Sequence, residues 1–285
     1  MIRNIILAIL IVLSLSFGNS SWFKTMPLAI GNTSVNESLI HENGKIILSR
    51  FQPPSGYQRK ALLENSFASY LEYLPLRPHG SVVHYFDGQE KNDLVYDAVL
   101  DIDVGNKDLQ QCADAVMRLR GEYFYSLKQF DKISFPLTNG FRMDYSEWMK
   151  GNRLSVNGNK THWVKSAAPS NTYTDFRNYM EVVFTFAGTL SLSKSLHPKN
   201  ISDIAIGDVF VHGGSPGHAV IVVDVAENKS GEKVFMVAQS FMPAQEIHIL
   251  KNYGEESISP WYKNSVLQLH TPQWSFDISE LKSFD

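Results

Sequence analysis

The sequence predicts an α+β fold in which N-terminal helices pack on an antiparallel sheet. Two stretches carry this expectation. Leu109, Cys112, Val116, Leu119, Tyr123 and Leu127 recur at three- and four-residue steps and form one apolar stripe of a helix. From Ile204 onward the pattern changes to strands. Val209–His212 is a short β-rich run, and Gly213-Gly214-Ser215-Pro216-Gly217 is a tight loop. His218–Val225 is mostly β-branched and apolar, as in a strand buried on both faces. A hairpin through Glu227–Glu232 then leads into Val234–Ala238. Helices first and consecutive strands afterwards distinguish this order from an alternating α/β chain.

The remaining elements follow in order. Ile46–Phe51 reads as a strand, closed by the turn Pro53-Pro54-Ser55-Gly56. Phe67, Tyr70, Leu71 and Leu74 have helical spacing, and Pro75 and Pro78 end that helix. Ser81–Phe86 and Tyr96–Val104 read as strands, punctuated by Asp87-Gly88 and Gly105-Asn106. Asn106 or Asp108 is the expected cap of the long helix, because short polar side chains accept the unpaired N–H groups of a first turn. That start puts Cys112 within the first two turns, on the inward face, and sends Arg118 and Arg120 toward solvent or a cleft. Residues 136–175 are turn-rich and aromatic, with Tyr145, Trp148 and Trp163. Phe176–Ser195 is helical by pattern, weakened at Gly188. Glu246–Leu250 is a last strand before an irregular aromatic tail.

Bulk properties narrow the function classes. A chain of 285 residues can bury a large core. Its formal net charge of −3 gives no electrostatic case for nucleic acid as a partner. Arg3 followed by the apolar run Ile5–Phe17 and the small residues Ser16, Gly18, Ser20 and Ser21 is the pattern of a secretory signal peptide. The expected organisation is a signal peptide at 1–20 and a single mature domain at 21–285. Its core is expected at about 96–130 and 200–250, with an insertion at about 136–195. The product is secreted or periplasmic, or membrane-tethered if the segment is retained. The run is shorter than the roughly 20 residues of a membrane span, and no later stretch spans a bilayer once the signal is removed.

Cys112 is the single cysteine, so no internal disulfide forms and its thiol is either a small buried hydrophobe or a reactive group. A cysteine near a helix N-terminus, a histidine at the start of a later strand and a polar residue on the next strand form a nucleophile set. The helix end favours thiolate, the imidazole takes and returns a proton, and the third group fixes the ring. Pairing the hairpin symmetrically about Lys229-Ser230 puts Gln239 on the face of His218. A one-residue slip puts Ser240 there instead. Asp224 shares the His218 face but is three pleats away.

Gly207-Asp208-Val209-Phe210 followed by Gly217-His218-Ala219-Val220-Ile221-Val222 resembles the NlpC/P60 and CHAP superfamily of papain-like cysteine peptidases and amidases. The resemblance implies a papain-like core, with Cys112 as nucleophile, His218 as base and Gln239 as the orienting residue. This chain departs from that family at the cysteine, expected deeper in its helix, and at glutamine as the third residue. Asp108–Val116, Arg118-Leu119-Arg120, Gly207–Val225 and Ala238–Gln245 resemble an uncharacterised family of exported bacterial proteins, a domain of unknown function. That likeness spans most of the mature chain and brings no activity with it.

The reading that follows is a secreted cysteine hydrolase acting on a peptide or peptidoglycan-like substrate without a cofactor. The Cys112 backbone N–H and Gln111 are the expected oxyanion donors, with Arg118, His212, Ser215 and Ser240 as further binding residues. Two alternatives stand beside it. One is a catalytically inactive exported binding or structural protein on the same scaffold, with Trp148, Trp163, Trp261 and Trp274 as a ligand platform. The other is a metal site at His212, His218 and Asp208, although no zinc-type spacing occurs.

Overall fold

The computed structural model describes residues 38–284, and the expected signal segment lies outside them. Ile47–Arg50 forms a single helical turn, α1, where a strand was expected. The Arg50 guanidinium curls this segment by donating to the carbonyls of Gly44 (2.7 Å) and Arg77 (3.0 Å). Buried contacts here override the β-propensity of Ile46 and Ile47. Strand β1 (Tyr57–Gln58) follows, then α2 (Phe67–Glu72), capped by the Ser66 hydroxyl accepting the Ser69 N–H. Ser81–Phe86 makes only isolated bridges, His84 with Glu90 and Tyr85 with Gln245. β2 is shorter than expected, at Tyr96–Val99.

Helix α3 (Cys112–Ser126) precedes a region of small elements. β3 (Ser134–Pro136) pairs with β4 (Arg142–Asp144), and after α4 (Tyr145–Met149) β5 (Asn152–Asn157) pairs with β6 (Lys160–Lys165). The helical stretch expected at Phe176–Ser195 is two helices broken at Gly188, α5 (Tyr173–Phe186) and α6 (Thr189–Ser195). Side chains of this region, expected as an insertion, enter the core. Tyr145, Trp148, Phe176, Tyr179, Met180 and Val183 are buried in the same core as α3.

The rest of the chain is mostly strand: β7 (His197–Pro198), β8 (Val209–His212), β9 (His218–Asn228), β10 (Lys233–Gln239), β11 (His248–Leu250) and β12 (Tyr262–Lys263). A hairpin of β13 (Gln268–His270) and β14 (Ser275–Asp277) and the last strand β15 (Leu281–Ser283) complete it. The result is a mixed α+β fold with one large antiparallel sheet in the order β2-β11-β10-β9-β8-β15-β7. β1 joins on β9, and β12 on β10.

Both faces of this sheet are covered. Ala219, Ile221 and Val223 of β9 pack toward α2 and α3, together with Met236 and Ala238 of β10. Val220 and Val222, with Phe235 and Val237, face a second core closed by Val83, Leu269, Phe276 and Leu281. A β-bulge breaks the simple alternation. Met236 pairs with Asp224 but Val237 pairs with Val222, so Val223 is the extra residue. Beyond the bulge the faces exchange, and Asp224 lies on the helix side, across from Met236. The expectation that it shares the face of His218 is thereby corrected.

Asp224 is fully buried and is held by Arg59, whose Nε lies 3.1 and 2.9 Å from the two carboxylate oxygens and whose Nη2 lies 2.6 Å from Oδ2. The guanidinium also lies over the Trp261 ring. Removing one partner of such a pair leaves an uncompensated buried charge. Arg59→Met is expected to lower unfolding free energy by roughly 3 kcal/mol. Urea unfolding of the variant checks this, and a change within about 0.5 kcal/mol, as at an ordinary surface site, would refute it.

Candidate functional site

The site is built at the N-terminus of α3, where it meets the ends of β9 and β10. The helix begins at Cys112 itself. The Asp114 carboxylate accepts the Gln111 N–H at 3.0 Å and so closes the first turn. Asp108, one expected cap, is used elsewhere, accepting the Ala244 N–H (2.7 Å) and the Gln111 side-chain amide (3.0 Å). Cys112 is therefore the first helical residue, not one deeper in the helix. It stands where the helix dipole is most positive.

The turn ahead of it is clamped. The Gln110 carbonyl accepts the Ser240 hydroxyl at 2.9 Å, and Gln110 Oε1 accepts from Arg118 Nη1 at 2.9 Å. Arg118 is buried, and also donates to Glu122 at 2.6 Å. It does not reach toward solvent or the Cys112 cleft. Its place is beneath the turn, where its carboxylate and amide partners satisfy its charge. Ser240 is also buried, 2.7 Å from the Gln245 carbonyl.

Cys112 borders a cleft of about 500 Å³, together with Gln111, Thr189, Ser215, Gly217 and Met242. Gly217 is required by close approach. A Cβ there would lie 2.3 Å from Thr189 Oγ1 and 2.6 Å from the Gly214 carbonyl. A larger cavity, of about 1080 Å³, includes neither Cys112 nor His218, and Thr138 lines both.

The thiol sits in a mixed environment. Burial pushes its pKa up to about 11, and the Asp114 charge adds to this. Hydrogen bonding from the backbone of Ala219, Ala113 and Cys112 pulls the other way. Asp114 is itself pushed up to about 8 by burial, against hydrogen bonds from the backbone of Gln111 and its own N–H.

His218 lies on the sheet face opposite α3, with its ring among Phe241, Trp274 and Phe276 at centroid distances of 4.8, 5.5 and 5.8 Å. Its Nε2 is 2.7 Å from Gln239 Oε1. Gln239, not Ser240, occupies this position, because Ala238 pairs with Ile221 and the next side chain falls on the His218 face. Burial drives the His218 pKa down to about 4, with the Gln239 hydrogen bond opposing the shift. Among the described residues, the thiol and the imidazole share no hydrogen bond.

The other expected binding residues divide. Gln111 and Ser215 line the cleft. His212 pairs with His218 across β8 and β9, but its ring is taken up by Glu280 (2.5 Å) and Trp274. Asp208 is held by Lys199 and the Ala205 N–H. Among the described residues, no three His, Cys, Asp or Glu side chains are grouped to hold a metal ion. Trp148 and Trp261 are buried, so the four tryptophans do not form one exposed platform. Two polar residues near Gln239 have no local signal in the sequence. His248 lies 3.4 Å and Gln273 2.7 Å from its amide nitrogen.

The sequence of this α+β chain matches one family along residues 47–283, nearly all of the described structure. The chain belongs to the family described as domain of unknown function (4846). No curated protein and no solved structure matches it.

Because Asp114 contributes to the raised thiol pKa, removing its charge is expected to lower that pKa. In Asp114→Asn the pH midpoint of Cys112 alkylation by iodoacetamide should shift below about 11 while staying above the ordinary thiol range, since burial is the larger cause. An unmoved midpoint would show that the carboxylate does not act on the sulfur.

Proposed function

We propose that this chain is an exported cysteine-dependent hydrolase, a peptidase or amidase on a papain-like core, with cell-wall peptidoglycan as its substrate. One observation carries the reading. Cys112 opens α3 beside a cleft, and His218, the first residue of β9, is oriented through Nε2 by Gln239. A helix N-terminus, an imidazole and an orienting amide supply the three roles that thiol acyl transfer requires.

At neutral pH the resting pair is thiol and neutral imidazole, given pKa values near 11 and 4. Proton transfer therefore accompanies attack. His218 Nδ1 takes the thiol proton as sulfur bonds to the substrate carbonyl carbon, and the carbonyl electron pair moves to oxygen. The Cys112 backbone N–H and the Gln111 side-chain amide are the donors for that oxyanion. Collapse expels the amine, which leaves with the proton from His218, and water then hydrolyses the thioester by the same base.

A second reading is a catalytically inactive exported binding protein on this scaffold. The raised thiol pKa and the missing thiol–imidazole hydrogen bond favour it.

Cys112→Ala is expected to abolish release of amine from soluble peptidoglycan fragments while thermal unfolding stays close to that of the parent. Turnover that survives the substitution would exclude the thiol mechanism. The depressed His218 pKa sets the acid limb. The base is neutral above about 4, so kcat/KM should fall only below that value, not near the ordinary histidine value of about 6.5. A limb centred at 6.5 would contradict the assignment of His218.

A further inference from the structure

Gln239 can present either its oxygen or its nitrogen to His218, and the choice decides which ring nitrogen is free to act. Two acceptors that cannot donate settle it from outside. The first is the Asp93 carboxylate, paired with Lys91 at 2.7 Å. It accepts from Gln273 Nε2 at 3.2 Å, so Gln273 Oε1 is the end that faces inward. That oxygen is 2.7 Å from Gln239 Nε2 and accepts from it, which turns Gln239 Oε1 toward His218 Nε2 at 2.7 Å. An amide oxygen only accepts, so His218 Nε2 carries the proton and Nδ1 carries the lone pair.

The second acceptor gives the same polarity. The Glu246 backbone carbonyl lies 2.8 Å from His248 Nδ1, so that nitrogen is the protonated one. His248 Nε2 is then an acceptor, 3.4 Å from the same Gln239 nitrogen. Both branches place the Gln239 nitrogen away from His218. The relay is enclosed by Phe241, Trp274 and Phe276 around the His218 ring, and Trp274 is the chain neighbour of Gln273.

We infer that Gln273 and Asp93 are positioning residues, which hold His218 in the Nε2–H tautomer through Gln239 and leave Nδ1 as the proton acceptor. The tautomer claim stands on geometry alone, and its consequence for turnover rests on the hydrolase reading. Neither residue touches the cleft beside Cys112. Sequence pattern does not connect them to His218, since Gln273 is in the aromatic tail and Asp93 precedes β2.

The test is nitrogen-15 NMR of the histidine rings in the mature chain, with the His218 signals identified by their loss in His218→Gln. The parent protein is expected to show His218 protonated at Nε2 only. Gln273→Leu leaves Gln239 held by the longer His248 contact alone, and the Nδ1–H form should rise to a tenth or more of the population. Turnover of the peptidoglycan fragment should fall on the order of tenfold in kcat with KM unchanged, as for loss of an outer-shell partner. The paired exchange Asp93→Asn with Gln273→Glu reverses the donor and acceptor between those two residues but still offers an oxygen to Gln239. It should restore the Nε2–H form. A parent protein carrying the proton on Nδ1, or a Gln273→Leu variant that folds and keeps pure Nε2–H, would overturn the proposal. If Gln273→Leu fails to fold, Gln273→Ala is read in the same way. Should Cys112→Ala show that the chain is not a thiol hydrolase, the ring spectra still decide the tautomer.

Discussion

The cover on both faces of β9 is the constraint from which the site follows. Helix α3 occupies one face and the C-terminal hairpin with Val83 occupies the other. A thiol carried by the helix and an imidazole carried by the strand thus approach from opposite sides of a packed sheet. They can come together only past the strand's first residue, where the sheet stops. His218 is that residue, and Cys112 is the first residue of α3. The Arg118–Gln110 and Ser240–Gln110 hydrogen bonds fix the turn that sets this start.

The electrostatics fit a neutral resting site. Burial acts on thiol and imidazole in opposite directions, raising one and lowering the other, because in both cases it disfavours the charged form. Asp114 serves as helix cap and as a local source of negative charge, and its own raised pKa limits that charge near neutral pH. The helix end and the Ala219 N–H oppose these effects without overcoming them. Near neutral pH both groups are thus held in their neutral forms, a thiol and an uncharged imidazole.

Much of the architecture was legible because it depends on short-range pattern. The β-branched run from His218, the hairpin after it and the apolar stripe of α3 all form as their periodicity implies. Pairing counted along that hairpin puts Gln239 on the face of His218, and the two side chains meet there. The same count failed for Asp224, because a bulge at Val223 leaves no mark in apolar alternation. The start of α3 was misplaced because Asp108 is a good cap by type, yet its carboxylate is claimed by Ala244, a partner 136 residues away. Arg118, expected toward solvent or a cleft, is buried and lines a separate cleft of about 320 Å³ with Tyr70, Asp103, Glu122 and Tyr173. Its burial depends on Gln110, Glu122 and Asp103 gathering around it, and only the Glu122 spacing is visible along a helix. Gln273 and Asp93 are 180 residues apart and carry no local pattern. Long-range polar pairing is a property of the finished fold.

The glycine loop before β9 has one further consequence. At Gly217 the surrounding atoms stand closer than any added carbon permits, and Gly213 is similarly enclosed by Ser193. The wall that this loop gives the cleft is thus made partly of bare peptide groups. At its glycines this wall offers amide hydrogens and carbonyl oxygens, beside the Ser215 side chain. At Gly217 that chemistry is fixed, because a side chain there cannot be added without first reshaping the loop.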